Sequence, residues 1–188
     1  GVIAIKVVND KLAKKLQEAT EGYQNIEVVT VPDAYPMGWE RVLIRELFKK
    51  EYDRFPGEIG IIVNNATTAI YLSEALRDKK PITHRIVTIS GEGVKNPENV
   101  YVPIGTSVDY IIEKIGGYTE NINEMFVLGG GPMMGKSIAN DTFVVTTYSN
   151  SITVLPKVVE EELPCLRCGL CVEHCPAKIQ PVQIMNLE

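Results

Sequence analysis

The sequence predicts an α/β module followed by an α+β module, and three observations carry that expectation. Over residues 1–80, apolar runs rich in β-branched side chains alternate with stretches of helical periodicity, the pattern of parallel strands joined by right-handed crossovers. After Pro81 the pattern changes to pairs of short strands around a single helix, which suggests a compact β-grasp arrangement. All four cysteines then fall between positions 165 and 175, so the last part of the chain is set apart by chemistry rather than periodicity.

Composition narrows the classes. A chain of 188 residues accommodates one large domain or two small ones, and 45% apolar with 23% charged residues is ordinary for a globular protein. A formal net charge of -5 argues against a nucleic-acid partner, which would call for a basic face. No apolar run approaches the roughly 18 residues of a membrane span. Clustered, reduced cysteines fit a cytosolic compartment.

In chain order, residues 2–8 read as a buried strand. Asn9 or Asp10 can cap the helix over 11–21, with Leu12, Leu16 and Ala19 on one face. Residues 26–31 form a second strand, and a loop over 32–38 leads to a helix over 39–52 with Val42, Leu43, Leu47 and Phe48 inward. Pro56 and Gly57 break the chain before a third buried strand at 59–65 and a helix at 66–79. Beyond Pro81, strands are expected at 85–90 and 100–104. Ser107 can cap a helix over 108–115, which Gly116 and Gly117 end. Further strands follow at 125–128, 142–147 and 151–155, and residues 156–164 read as a linker.

The strongest motif is the run Cys165, Cys168, Cys171, Cys175 with Pro176 behind it. This C-x2-C-x2-C-x3-C-P spacing is that of an iron–sulfur loop of the bacterial ferredoxin type. The two-residue gaps let a tight loop wrap three thiolates around one cubane face. Pro176, with no N–H and a preset φ, can open a helix directly after Cys175. Structural zinc would call for two separated ligand pairs, and His84 and His174 are the only histidines. A disulfide framework suits shorter secreted chains. In two-cluster ferredoxins the fourth cysteine serves the other cluster. Either Cys175 completes a single site, or Cys165, Cys168 and Cys171 bind one cluster and Cys175 a second. The second alternative is favoured, with the expectation that the chain is cut from a longer protein at both ends.

Residues 130–137 formally match the phosphate loop G-x4-G-K-S, through Gly130, Gly135, Lys136 and Ser137. That chemistry needs a long helix after the loop, and β-branched residues follow instead; a glycine-rich turn with packed methionines is the better reading. Two other loops lie at the carboxyl edge of the expected parallel sheet, where ligands of open α/β folds bind. One is 35–40 and the other 64–68. Their tyrosine, amides and hydroxyls could bond an isoalloxazine ring or a ribityl chain, or Asn65 or Thr67 could simply cap the helix behind them.

Taken together, Val63, Asn64, Asn65 and Thr68, the stretch from Pro81 to Gly91, Val102 to Thr106, the Gly130–Gly135 loop and the run from Cys165 to Pro176 resemble the RnfC family of Rnf electron-transport complexes. The resemblance implies a partial Rossmann-like domain at 1–81, similar to the flavin- and NADH-binding domain of complex I. It implies a β-grasp domain of the SLBB type at 82–156, then a linker and the first half of a ferredoxin-like domain at 157–188. In that family NADH reduces FMN, and single electrons pass through [4Fe-4S] clusters, two in the intact protein, to membrane subunits. Tyr35, Gly38 and Glu40 fall where the related domain places flavin- and NADH-site residues, and Asn64, Asn65 and Thr68 where it contacts FMN.

The implied partners are other electron-transfer subunits, a ferredoxin or a reductase, with no nucleic acid and no direct membrane span. The implied location is cytoplasmic, peripheral on the cytoplasmic face of a bacterial membrane. The family's flavin-phosphate glycine loop, its acidic segment and its second cysteine motif are not in this sequence. FMN and NADH binding, and catalysis, are therefore expected of the intact protein rather than of these residues alone. Met37, Trp39 and the segment 147–151 depart from many relatives and point to a divergent branch, such as the RnfC-like protein that feeds proline reductase. The competing expectation is a docking module whose β-grasp part positions flavin and cluster domains without holding a redox centre itself.

Overall fold

The computed structural model describes residues 1–132, 134–138, 141–157, 163–175, 177 and 179–187. By its contacts the chain forms two compact units, Gly1–Val63 with Pro164–Glu188, and Asn64–Leu163.

The first unit opens with a βαβ motif. Strand β1 (Val2–Lys6) and strand β2 (Glu27–Val31) pair in parallel, Val2 opposite Glu27 and Lys6 opposite Val31. Helix α1 (Asp10–Thr20) connects them. Asn9 stands at its N-cap position without a capping side-chain bond, so that expectation is not met. Its inward positions are Ala13, Leu16 and Thr20, whereas Leu12 and Ala19 are exposed. The three sit i, i+3, i+7, so the apolar stripe is one residue round from the expected face.

Helix α2 (Glu40–Phe48) buries Ile44, with Val42, Leu43 and Leu47 half-buried. It stops at Lys49, whose φ of 53° is left-handed, several residues short of the expected end. The third strand expected at 59–65 does not form. Pro56–Ile59 is a 3-10 turn closed by Gly60 at φ 72°, and Ile62 is 82% exposed. Proline at the first helical position preorganises that turn. The parallel sheet accordingly has two strands among the described residues. Short helices α5 (Leu170–His174) and α6 (Pro181–Met185) complete the unit. Pro181 opens α6; Pro176, expected to open a helix after Cys175, lies outside the described residues.

Helix α3 (Ala66–Asp78) begins the second unit. Strands β3 (His84–Ser90), β4 (Glu98–Pro103), β5 (Met125–Gly129), β6 (Lys136–Ile138) and β7 (Ser151–Pro156) form one sheet in the order β4-β3-β7-β5-β6. The first and last strands, β3 and β7, run parallel at the centre, and antiparallel partners lie outside them. That is the arrangement of a β-grasp. Helix α4 (Val108–Lys114) covers one face through Val108, Ile111 and Ile112. These meet Val87 and Ile89 of β3, Met125 and Val127 of β5, and Ile152 and Val154 of β7 in a single core.

The strand expected at 142–147 is one isolated bridge, Val144 to Ser107. Its backbone is engaged by the approach to α4: Gly105 and Val108 donate to Val145 and Phe143 carbonyls, and the Val145 N–H donates to Thr106. Most of the expected linker, 158–162, lies outside the described residues. No described helix is long and apolar enough to cross a membrane.

Candidate functional site

In the first unit the candidate residues follow β2. Lys6 and Asp33 pair at 3.0 Å at the carboxyl edge of the parallel strands. The loop behind them leaves Tyr35 and Gly38 exposed, buries Pro36 and Met37, and delivers Glu40 to the first turn of α2. A carboxylate there complements the positive end of the helix dipole.

Glu40 does not stand alone. The buried Tyr52 donates its hydroxyl to Glu40 Oε1 at 2.8 Å. Burial first, and then the Glu40 carboxylate, raise the pKa of the Tyr52 phenol, so it stays a donor. Arg41 lies 4.3 Å over the Tyr52 ring and forks onto the Tyr52 carbonyl at 2.8 Å and the Asp53 carbonyl at 2.5 Å. Glu58 then accepts the N–H groups of Asp53, Arg54 and Phe55 at 3.0–3.1 Å. Those bonds, that from Phe55 foremost, hold the Glu58 carboxyl below the usual glutamate range. The result is a pinned segment whose tyrosine aims Glu40. Sequence reading missed it because Tyr52 lies beyond the left-handed stop at Lys49, where no helical period links it to Glu40.

Asn64, Asn65 and Thr68 belong to the second unit, at the start of α3. Asn64 and Thr68 are exposed. Asn65 caps the helix, accepting the Thr67 N–H at 2.9 Å and the Thr67 hydroxyl. Its side-chain oxygen therefore has a structural task in addition to any ligand.

The glycine-rich loop is a β-hairpin connection between β5 and β6, not a phosphate loop: Lys136 and Ser137 are in a strand, and no helix follows them among the described residues up to β7. The turn is tight. A Cβ at Gly135 would stand 2.5 Å from the Gly131 carbonyl oxygen, and Gly135 N–H donates to that oxygen at 2.7 Å. Met134 is exposed and Met133 lies outside the described residues.

In the cysteine segment, Cys165, Cys168 and Cys171 are exposed and Cys175 is half-buried, all four as reduced thiols. Arg167 at φ 54° and Gly169 at φ 80° turn the backbone left-handed on either side of Cys168. The Arg167 N–H donates to Cys165 Sγ at 3.4 Å, the kind of amide-to-sulfur bond that surrounds cluster thiolates. Helix α5 carries Cys171 and ends just before Cys175. His174 turns its Nδ1 to the Leu170 carbonyl at 2.9 Å, inside its own helix. Among the described residues no three metal-ligating side chains converge on one point. The donor set and the turned backbone nonetheless fit an iron–sulfur cluster: four thiols, sharply turned chain and an amide already aimed at sulfur.

The Nuo51 FMN-binding domain family matches residues 1–74, and the SLBB domain family matches residues 86–137. The chain is also similar to curated proteins named as the C subunits of ion-translocating oxidoreductase complexes. That of Rhodobacter capsulatus is 36% identical over 168 residues, 87% of this chain and 32% of the relative. That of Yersinia enterocolitica is 33% identical over 175 residues, 90% of this chain and 25% of the relative. That of Edwardsiella ictaluri is 31% identical over 175 residues, 90% of this chain and 22% of the relative. The chain thus spans between a fifth and a third of the length of these relatives.

Proposed function

We propose that this chain, similar to RnfC proteins over nine-tenths of its length, works as an electron-transfer polypeptide within such a protein. In this reading electrons from NADH enter on FMN and leave singly through [4Fe-4S] clusters to other subunits of a membrane-associated complex at its cytoplasmic face, or to a related reductase. The observation that carries it is an order of modules. A flavin-domain sequence, a β-grasp sheet and a C-x2-C-x2-C-x3-C-P run follow one another in a single chain.

In this reading Cys165, Cys168 and Cys171 bind one cluster, and Cys175 serves a second. Tyr35, Gly38 and Glu40, the last bonded by Tyr52, would help to hold flavin and NADH. Asn64, Asn65 and Thr68 contact FMN. A bound cluster supplies a one-electron carrier; the chain supplies thiolates, backbone amides and a turned loop.

Anaerobic reconstitution with iron and sulfide tests this reading. The expected result is a broad absorbance near ~400 nm and an EPR signal on reduction. A second reading, the docking module, is favoured by the β-grasp sheet, whose strand order and SLBB match suit a scaffold. If neither signal appears, while the chain still binds partner subunits of an Rnf-type complex, the docking reading replaces the first.

A further inference from the structure

The second unit contains a buried charge, Arg85, that forms no ion pair among the described residues. Strand β3 alternates, placing residues 85, 87 and 89 on the core face. Two of these are Val87 and Ile89; the third is Arg85, 3% exposed. Burying a guanidinium is costly unless it is bonded, and a single ladder position does not require one. Its Nε donates to the Ser149 carbonyl at 3.4 Å, and one Nη donates to Asn150 Oδ1. Those contacts orient the guanidinium toward a ring: its carbon lies 5.6 Å from the centroid of Tyr71.

Tyr71 is the one residue of α3 that is buried. The other large apolar side chains of the helix point outward, with Ile70, Leu72 and Leu76 all more than half exposed. The Tyr71 hydroxyl is buried with no hydrogen-bond partner among the described residues, so the ring makes the attachment seen there. The deepest anchor of α3 is thus an aromatic ring over a buried cation, a setting in which cation–π attraction is strong. The flavin-domain match runs to residue 74, into this helix, while its contacts place α3 with the β-grasp sheet.

We propose that Arg85 is a positioning residue: through Tyr71 the β-grasp sheet holds α3, and with it the Asn64, Asn65 and Thr68 group at the head of that helix. This deepens the flavin reading above and rests on it for the identity of the ligand. The β-grasp sheet then supports those three residues, and the Ser149–Asn150 loop belongs to the same support.

Hydrogen exchange on the 188-residue chain, with FMN titration of the intact protein alongside, tests the proposal. Arg85→Met, which keeps bulk and removes charge, should lower protection of the amides of α3 by about tenfold and leave β3, β5 and β7 unchanged. Tyr71→Leu should do the same from the helix side, and Tyr71→Phe, which keeps the ring, should match wild type. FMN affinity should fall about tenfold in Arg85→Met and be partly kept in Arg85→Lys. Unchanged α3 protection in either loosening variant overturns the proposal, as does an equal loss across the whole sheet. Unchanged FMN affinity in a variant with a loosened α3 overturns the positioning role. If the intact wild-type protein binds no FMN, the flavin assignment of these residues fails, and the exchange result still decides whether Arg85 holds the helix.

Discussion

Glu58 shows how much one exposed side chain can fix. Its carboxylate collects three successive N–H groups, from Asp53 to Phe55, and so sets the chain just beyond Tyr52, the partner of Glu40. Because these bonds hold its pKa below the ordinary 4.5, their contribution is complete above that value and is lost as pH falls through the lower, folded value. NMR titration should show the amides of 53–55 moving together in that acid window, and Glu58→Gln should abolish the step. Independent or absent movement would remove Glu58 as the organiser. Gly91 presents the opposite case, a place where nothing fits. Its φ is 103°, and a Cβ would stand 2.0 Å from the Val154 carbonyl oxygen in the central strand β7. Gly91→Ala should therefore cost roughly 2–4 kcal/mol in denaturant unfolding, since both the backbone conformation and the β7 contact are lost.

At the scale of elements, period was informative wherever a segment found a partner. The alternation of β3 and the stripe of α4 are written directly in Val87, Ile89, Val108, Ile111 and Ile112, and the core is made from them. The apolar run at 59–65 has strand composition, but β1 pairs with β2 alone, and Pro56 and Gly60 commit its start to a 3-10 turn. Composition cannot show that a ladder partner is missing. The run at 142–147 fails for a related reason, since its backbone groups are used by residues 105–108. Arg85 was hidden differently: the alternation puts position 85 inside, while the chemistry of arginine argues for the surface. For α3 the capping choice at Asn65 was legible, as an amide directly before a helix. Asn65→Ala should cost about 1 kcal/mol and fray the first turn, visible as faster exchange at Thr67 and Thr68. An unchanged first turn would free the Asn65 side chain for a ligand alone.

Across the whole molecule, the cysteine spacing was the most legible feature and the Glu40–Tyr52 pair the least. Thiolate spacing is a local property that survives in the sequence, whereas Tyr52 reaches Glu40 only because a left-handed stop at Lys49 turns the chain back. Local spacing alone leaves open whether the four cysteines make one site or two. Were Cys165, Cys168, Cys171 and Cys175 one site, losing any of them would remove the same cluster. Were they divided, Cys175 would be dispensable to the cluster of the first three. The structure separates them in setting: the first three thiols are exposed around the turned loop at Arg167 and Gly169, and Cys175 is half-buried beyond the end of α5. The divided arrangement also follows the ferredoxin pattern, in which the cysteine before proline crosses to the partner cluster. After anaerobic reconstitution, Cys168→Ala should therefore abolish the iron bound by the loop, and Cys175→Ala should leave most of it, read as iron per chain and as absorbance near ~400 nm. Equal loss in the two variants would make the run a single four-thiolate site, and a chain that takes up no iron in any form would return the cysteines to the docking reading.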